Sequence, residues 1–255
     1  MPGDEEHFDG VIGAVRVGDT TRKPSGPWTP TVQAMLRHLR DRGLDSVPEP
    51  LGVDDDGREV MSFLPGHAGM RPWPARLRTL DGVIDLASWL RRCHDAIADF
   101  RRADAVWRAG PIPIGDGEIA LHGDLGPWNT VWDGERFAGV IDWDLAEPGP
   151  PIVDVAFLAL QLVPLRDDAY AGRAGFAGDV PRAERLRTLC ETYAGIDPLD
   201  ILERVAWIHE RDLRREREWG PTGREPWATF HANGDERIIL ADRAWLEANA
   251  SSLMA

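Results

Sequence analysis

A chain of 255 residues, 43% hydrophobic and 28% charged, fits one or two globular domains of about 150 residues and excludes fibrous, collagen-like and wholly disordered readings. The 43 acidic residues against 29 basic ones leave a net charge of −14, which disfavours a phosphate backbone and supplies no basic stripe, so nucleic acid is not an expected partner. No apolar run reaches the roughly 18 to 20 residues of a membrane helix, and Asp4, Glu5, Glu6 and Asp9 stand where a signal peptide carries positive charge; the expectation is a cytoplasmic protein with no membrane segment.

Along the chain, the first sixty residues form a small α+β unit. Residues 11–17 and 59–63 are short and rich in β-formers, and Val32, Met35, Leu36 and Leu39 fall on one helix stripe. Thr29 is the expected cap of that helix, Pro30 its first residue and Gly43 its exit. Asp54-Asp55-Asp56-Gly57 is a hairpin turn signal. Residues 65–74, with three prolines and two glycines, interrupt regular structure and mark a hinge between a lobe at 1–64 and a larger one at 65–255.

Beyond the hinge the pattern is mostly helical. Val83, Leu86, Ala87, Leu90, His94, Ile97 and Ala98 share a helical stripe, which makes His94 a core or boundary histidine. Residues 119–121, 130–132 and 137–143 contain short strands, and helices return at 153–162, 182–193, 199–219 and 241–248. Cys93 and Cys190 lie in helical patterns without CxxC or Cys/His spacing, so neither a disulfide framework nor a zinc site is indicated. Lys23 is the only lysine.

The chemistry-bearing segment is Leu121-His122-Gly123-Asp124-Leu125-Gly126-Pro127-Trp128-Asn129, followed by Val140-Ile141-Asp142-Trp143-Asp144. Gly126-Pro127 prevents a helix between Asp124 and Asn129, so both project from a constrained loop. A hairpin through Asp133-Gly134 would return the chain and deliver Asp142 to the side of Asn129. A carboxylate and an amide oxygen together suit Mg²⁺, a hard cation that keeps substrate phosphates in its shell, and leave Asp124 to orient an attacking hydroxyl.

H-x-D-x-x-x-x-N, then a short hairpin and I-D-W, resembles the aminoglycoside phosphotransferase family within the wider protein-kinase-like fold. The resemblance implies an α+β, two-lobed protein with a small, shortened β-rich N-terminal lobe and a larger, mostly helical C-terminal lobe. It implies transfer of the γ-phosphate of ATP or GTP to a hydroxyl of a small-molecule acceptor. Asp124 is then the catalytic carboxylate, Asn129 and Asp142 the Mg²⁺ ligands, and His122 and Asp154 supports of the loop. The phosphate-steadying base falls at Arg22 or Lys23, whose side chains point to opposite faces of a strand, and Ser62, Phe63 and Leu64 occupy the segment whose backbone reads the nucleobase.

The N-terminal lobe departs from the family pattern. It has no G-x-G-x-x-G loop, Gly18-Asp19-Thr20-Thr21 being the only candidate cover, and its helix at 31–42 has no glutamate to pair with the base. In the C-terminal lobe, Asp144, Glu147, Asp212, Glu216 and Glu218 are candidates for an acidic acceptor cleft, and Trp207, Trp219 and Trp227 for stacking, with core packing the better expectation for Trp207. The rivals are a non-catalytic nucleotide- or ligand-binding module that keeps the fold, and a Mg²⁺-dependent hydrolase using Asp124 and Asp142. The acceptor and the oligomeric state are not specified by the sequence.

Overall fold

The structure, a computed structural model, describes residues 5–8 and 13–254, so Asp4, Asp9 and the first two residues of the expected strand at 11–17 lie outside the described residues. The backbone divides into two units, Met1–Gly69 with Arg91–Pro151, and Met70–Leu90 with Ile152–Ala255. Small antiparallel sheets with a helical remainder make this a mixed α+β fold, the class expected from the sequence.

The first unit opens with β1 (Glu5–His7), β2 (Val15–Val17), β3 (Thr20–Pro24), α1 (Thr29–Asp41), β4 (Pro50–Val53) and β5 (Arg58–Ser62). Its strands form one antiparallel sheet in the order β1-β2-β3-β5-β4, which sets Lys23 of β3 directly opposite Glu59 of β5. Of the candidate phosphate cover Gly18-Asp19-Thr20-Thr21, Gly18 and Asp19 form the two-residue turn from β2 to β3 and Thr20 and Thr21 open β3.

Helix α1 buries Val32, Met35, Leu36 and Leu39 as its periodicity requires, each such burial contributing about 2 kcal/mol. Thr29 does not cap it: Trp28 holds the cap position, and the Thr29 hydroxyl instead accepts the Gly26 N–H at 2.9 Å, tying the incoming loop to the first turn. At the other end Gly43 (φ +80°) permits the left-handed exit, with Gly43 N–H on the Arg40 carbonyl at 2.8 Å and Leu44 N–H on that of Leu39 at 3.1 Å. The acidic turn between β4 and β5 forms as expected, the Asp54 carboxylate accepting the N–H groups of Asp56 and Arg58.

The chain continues through β6 (His67–Ala68), α2 (Leu80–Ile97), β7 (Ile119–Leu121), β8 (Thr130–Asp133), β9 (Arg136–Val140) and β10 (Glu147–Gly149). The expected break at 65–74 thus holds one short strand, because His67 and Ala68 pair with Trp132 and Val131 at the edge of β8. β8 and β9 form the expected hairpin, but its two-residue turn is Gly134-Glu135, with Asp133 still in β8 and paired with Arg136. β10 pairs with β7, setting Glu147 against Leu121 and laying segment 142–146 beside the loop after β7.

In the second unit the helices are α3 (Ile152–Leu162), α4 (Asp168–Arg173), α5 (Arg182–Tyr193), α6 (Pro198–Trp219), α7 (Trp227–Asn233) and α8 (Glu236–Leu253). Helix α6 packs on α3 and α8 and buries Ile201, Leu202, Val205, Ile208 and Leu213. Trp207 departs from the expected core packing: it is 41% exposed, because two residues beyond Val205 a helix has turned about 200°, away from the buried line. Its ring is flanked by the Arg204 and Arg211 guanidiniums. Arg185, buried without a carboxylate, instead donates to the carbonyls of Leu162, Arg78 and Leu77 at 2.7, 3.0 and 3.0 Å. Among the described residues no helix is long and apolar enough to cross a membrane, and Cys93 and Cys190 are buried and form no disulfide.

Candidate active site

The loop between β7 and β8 is held by its own polar groups. His122 Nδ1 accepts the Asp124 N–H at 3.2 Å, so the ring proton resides on Nε2, which donates to the Ile141 carbonyl at 3.1 Å. The imidazole also lies against Trp143, with ring centroids 4.5 Å apart. One neutral histidine therefore fastens the loop to the segment after β9. Gly123 (φ +81°) completes the contact: a Cβ there would stand 2.1 Å from the Leu145 carbonyl oxygen.

Pro127 does not abolish helical geometry but confines it to a single 3-10 turn, Pro127–Asn129, since proline suits a first helical position and cannot continue one from before. That turn brings Asn129 back onto Asp124. Asn129 Nδ2 donates to the Asp124 carbonyl at 2.8 Å and to its Oδ2 at 3.0 Å, and Trp128 Nε1 donates to the same Oδ2 at 3.1 Å. With its nitrogen committed to two acceptors, the amide turns Oδ1 away from Asp124.

The hairpin then sets Asp142 beside Asn129 through an Ile141 N–H bond to the Asn129 carbonyl at 2.9 Å. Asp142 (φ +58°) is the only residue other than glycine with positive φ among the described residues. Such a conformation costs on the order of 1 to 3 kcal/mol and is typically retained where it aims a side chain. The Asp142 carboxylate keeps 43% of its surface exposed.

Lys23 reaches this carboxylate from the sheet. Its Nζ lies 3.2 Å from Asp142 Oδ1, 2.5 Å from Asp144 Oδ1 and 3.7 Å from Glu59 Oε2, with the side chain 12% exposed. Burial alone would lower the Lys23 pKa, but Asp142, Asp144 and Glu59 together hold it above the ordinary lysine value. Burial likewise works to raise Asp142, and the Lys23 ammonium outweighs it, leaving that carboxyl below the usual range. Glu59 goes the other way: burial lifts its pKa more than Lys23 lowers it. The other Asp144 oxygen meets Arg108 Nη1 at 3.3 Å, and that guanidinium lies 4.4 Å over the Trp28 ring.

Of the two candidate bases, then, Lys23 enters the cluster, whereas Arg22, on the opposite face of β3, pairs with Asp54 at 3.5 Å. Two cations face three carboxylates in this cluster, a balance that leaves net negative charge at the exposed Asp142. An amide oxygen and a carboxylate oxygen, such as those of Asn129 and Asp142, are the donor types that suit Mg²⁺, which accepts few protein ligands and keeps water and phosphate oxygens. Among the described residues no group of three or more His, Cys, Asp or Glu could hold a metal by itself.

Other expected site residues fall elsewhere. The Ser62 and Phe63 N–H groups are already donated to the carbonyls of Glu49 and Asp19, at 2.8 and 2.9 Å, which leaves Leu64 as the backbone donor of that segment. Phe63 stacks with Phe8 and carries Arg16 over its ring. Asp154 is buried in the first turn of α3, in the second unit. Asp144, Glu147 and Glu216 are buried, which withdraws them from an acceptor-facing surface, Glu216 accepting the Glu236 N–H at 3.0 Å. Asp212 pairs with Arg211, and Glu218 is exposed. Trp219 and Trp227 pack edge to face, with Arg215 and Arg224 over the Trp219 ring. Glu59, Gln33 and Arg108 join the site without any motif marking them in the sequence, because their roles depend on the β3–β5 register and on contacts between distant segments.

A family model described as "Phosphotransferase enzyme family" matches residues 78–199, which include His122, Asp124, Asn129, Asp142 and Asp154. A curated relative, the trifolitoxin immunity protein of Rhizobium leguminosarum bv. trifolii, is 34% identical over 186 residues, covering 70% of this chain and 69% of that protein. The chain belongs to the phosphotransferase enzyme family. Solved structures agree in fold. A choline/ethanolamine kinase family protein from Mesorhizobium loti matches with a TM-score of 0.57 at 20% identity, covering 99% of this chain and 88% of that one. The GDP complex of aminoglycoside 2'-phosphotransferase-IIIa matches with a TM-score of 0.61 at 12% identity, over 96% and 93%. A glucosamine kinase bound to glucosamine, ADP and inorganic phosphate matches with a TM-score of 0.58 at 17% identity, over 92% and 81%.

Proposed function

We propose that this phosphotransferase-family chain is a small-molecule kinase that moves the γ-phosphoryl group of ATP or GTP to a hydroxyl of its acceptor. The observation that carries the reading is the pairing of Lys23 with Asp142, in the segment whose Ile141 N–H bonds Asn129 of the loop that holds Asp124. Lys23 and Asp142 stand 119 positions apart in sequence and 3.2 Å apart in space. The polar contacts within loop 122–129 and around Lys23 are those of a site whose groups are fixed before a ligand arrives.

In this mechanism Lys23 steadies nucleotide phosphates, and Leu64 supplies the backbone donor toward the nucleobase. Residues 1–64 act as the nucleotide-covering lobe and 65–255 as the catalytic and acceptor-binding lobe. Asn129 Oδ1 and the Asp142 carboxylate would hold Mg²⁺, which would supply charge neutralisation to the transferring phosphate. Asp124 accepts and orients the acceptor hydroxyl, its carboxylate kept in place by Trp128 and Asn129. His122 holds the loop and moves no proton, because both its nitrogens are committed to backbone.

The acceptor belongs to the toxic or antibiotic small molecules, a class suggested by the immunity role in the name of the curated relative. The site is expected to function in the cytoplasm, where ATP and GTP are available, without nucleic acid or a membrane as partner. The test is a thermal-shift titration with ATP and with GTP, each with and without Mg²⁺. At a hundred times Kd, binding adds about 2.7 kcal/mol of stability. The expected result is a Mg²⁺-dependent rise that Asp142→Ala abolishes and Asp124→Ala retains, with Asp124→Ala losing transfer. The absence of any shift with either nucleotide would contradict the kinase reading and favour a binding module.

A further inference from the structure

Helix α1 carries no glutamate. Its buried polar residue facing the sheet is Gln33, whose Nε2 donates to the Gly52 carbonyl at 2.9 Å and to Glu59 Oε1 at 3.3 Å. Glu59 is 1% exposed and lies opposite Lys23 in the β3–β5 register. A buried ionised carboxylate in a strand is retained only where cations and donors compensate it. Here the compensation is divided: Gln33 satisfies Oε1, and Oε2 faces Nζ at 3.7 Å. Because an ionised Glu59 only accepts hydrogen bonds, the helix side chain that meets it must donate, so an amide at position 33 fits where a second carboxylate would be repelled.

We propose that Glu59, steadied by Gln33, is the positioning residue of Lys23, and that Asp144, steadied by Arg108, is its second anchor; the assignment rests on the nucleotide site proposed above. The two carboxylates approach Nζ from a strand and from the loop after β9. Both hold the ammonium in place independently of the Asp142 carboxylate. The link between α1 and the phosphate-binding lysine thus runs through an amide and a strand carboxylate, in place of a direct helix-to-lysine ion pair. Arg108 fits the second anchor because its stacking on Trp28 and its bond to Asp144 Oδ2 leave Oδ1 for Nζ.

Lys23 being the only lysine, acylation by acetic anhydride, followed peptide by peptide in a mass spectrometer, reports this one side-chain amine. Glu59→Gln preserves the shape and a hydrogen bond to Gln33 while removing the charge. The expected result at pH 8 is an acylation rate at least fivefold above wild type and a nucleotide Kd about tenfold weaker, with Glu59→Asp restoring most of both. An unchanged acylation rate in folded Glu59→Gln would overturn the assignment. Should that variant fail to fold, Gln33→Ala applies the same test, since losing the amide frees Glu59 and should raise the rate; no rise would again overturn it. A wild type that binds no nucleotide, with acylation responding as stated, would remove the kinase reading and leave the assignment standing. Normal Mg²⁺-nucleotide binding with unresponsive acylation would do the reverse.

Discussion

Gly123→Ala isolates the backbone approach that fixes loop 122–129. At φ +81° an alanine incurs about 1 to 2 kcal/mol of left-handed strain. Its Cβ would also stand 2.1 Å from the Leu145 carbonyl oxygen, a backbone atom that yields only if segment 142–146 moves. Forced overpacking of this kind costs about 1 to 3 kcal/mol, so the expected total is about 3 kcal/mol, or roughly 6 to 12 °C in Tm for a protein of this size. Gly134→Ala is the control: it has the same sign of φ, +62°, but nothing within 4 Å of the added Cβ. It should lose only about 1 to 2 kcal/mol. Urea denaturation and differential scanning calorimetry of the two variants measure the difference. Moving segment 142–146 also displaces Asp142, so Gly123→Ala should weaken Mg²⁺-dependent nucleotide binding while Gly134→Ala leaves it intact. Equal destabilisation by both substitutions would refute the close-approach argument.

His209 is 2% exposed with neither ring nitrogen partnered, and burial foremost, reinforced by Arg166 and Arg243 against Asp212, pushes its pKa down to about 4. Above pH 6.5 folded and unfolded chains carry the same neutral ring; between 6.5 and about 4 only the unfolded chain takes up the proton, so stability falls with pH by on the order of 3 kcal/mol. His209→Leu should remove that contribution, and parallel urea-midpoint profiles from pH 7 to 4.5 for variant and wild type would contradict it. The Cys190 thiol is pushed up to about 12 by burial first and then by Asp197 and Glu191, so the native protein at pH 8 should not react with Ellman's reagent at this position, whereas the denatured chain should. Rapid labelling of native Cys190 would show that its surroundings open.

The loop chemistry was legible in the sequence because its constraints are local. Gly126-Pro127 limits what lies between Asp124 and Asn129, and Gly134, at positive φ in the turn, lets the β8–β9 hairpin return Asp142. The stripe of α1 and the acidic turn between β4 and β5 were legible for the same reason. What was not legible depends on which strand lies beside which. The choice of Lys23 over Arg22 needs the direction of β3 side chains, and the role of Glu59 needs the β3–β5 register, neither of which short strands encode by periodicity. Asp144, Glu147 and Glu216 looked like surface acids because sequence does not show burial, and compensating partners such as Arg108 come from distant segments. Trp207 was misjudged by proximity to Val205 and Ile208, although the helical angle from Val205 already turns it outward.

The central claim is that Lys23 faces the phosphates of a bound nucleotide, and an ATP analogue bearing an acyl group on its terminal phosphate tests it directly. Such a probe delivers its acyl group to an amine held beside the phosphates, and this chain has one lysine to receive it. The account predicts acylation of Lys23 that excess ATP or GTP with Mg²⁺ suppresses and that Asp142→Ala diminishes. Lys23 left unmodified, or modified at the same rate whether or not nucleotide is present, would contradict it.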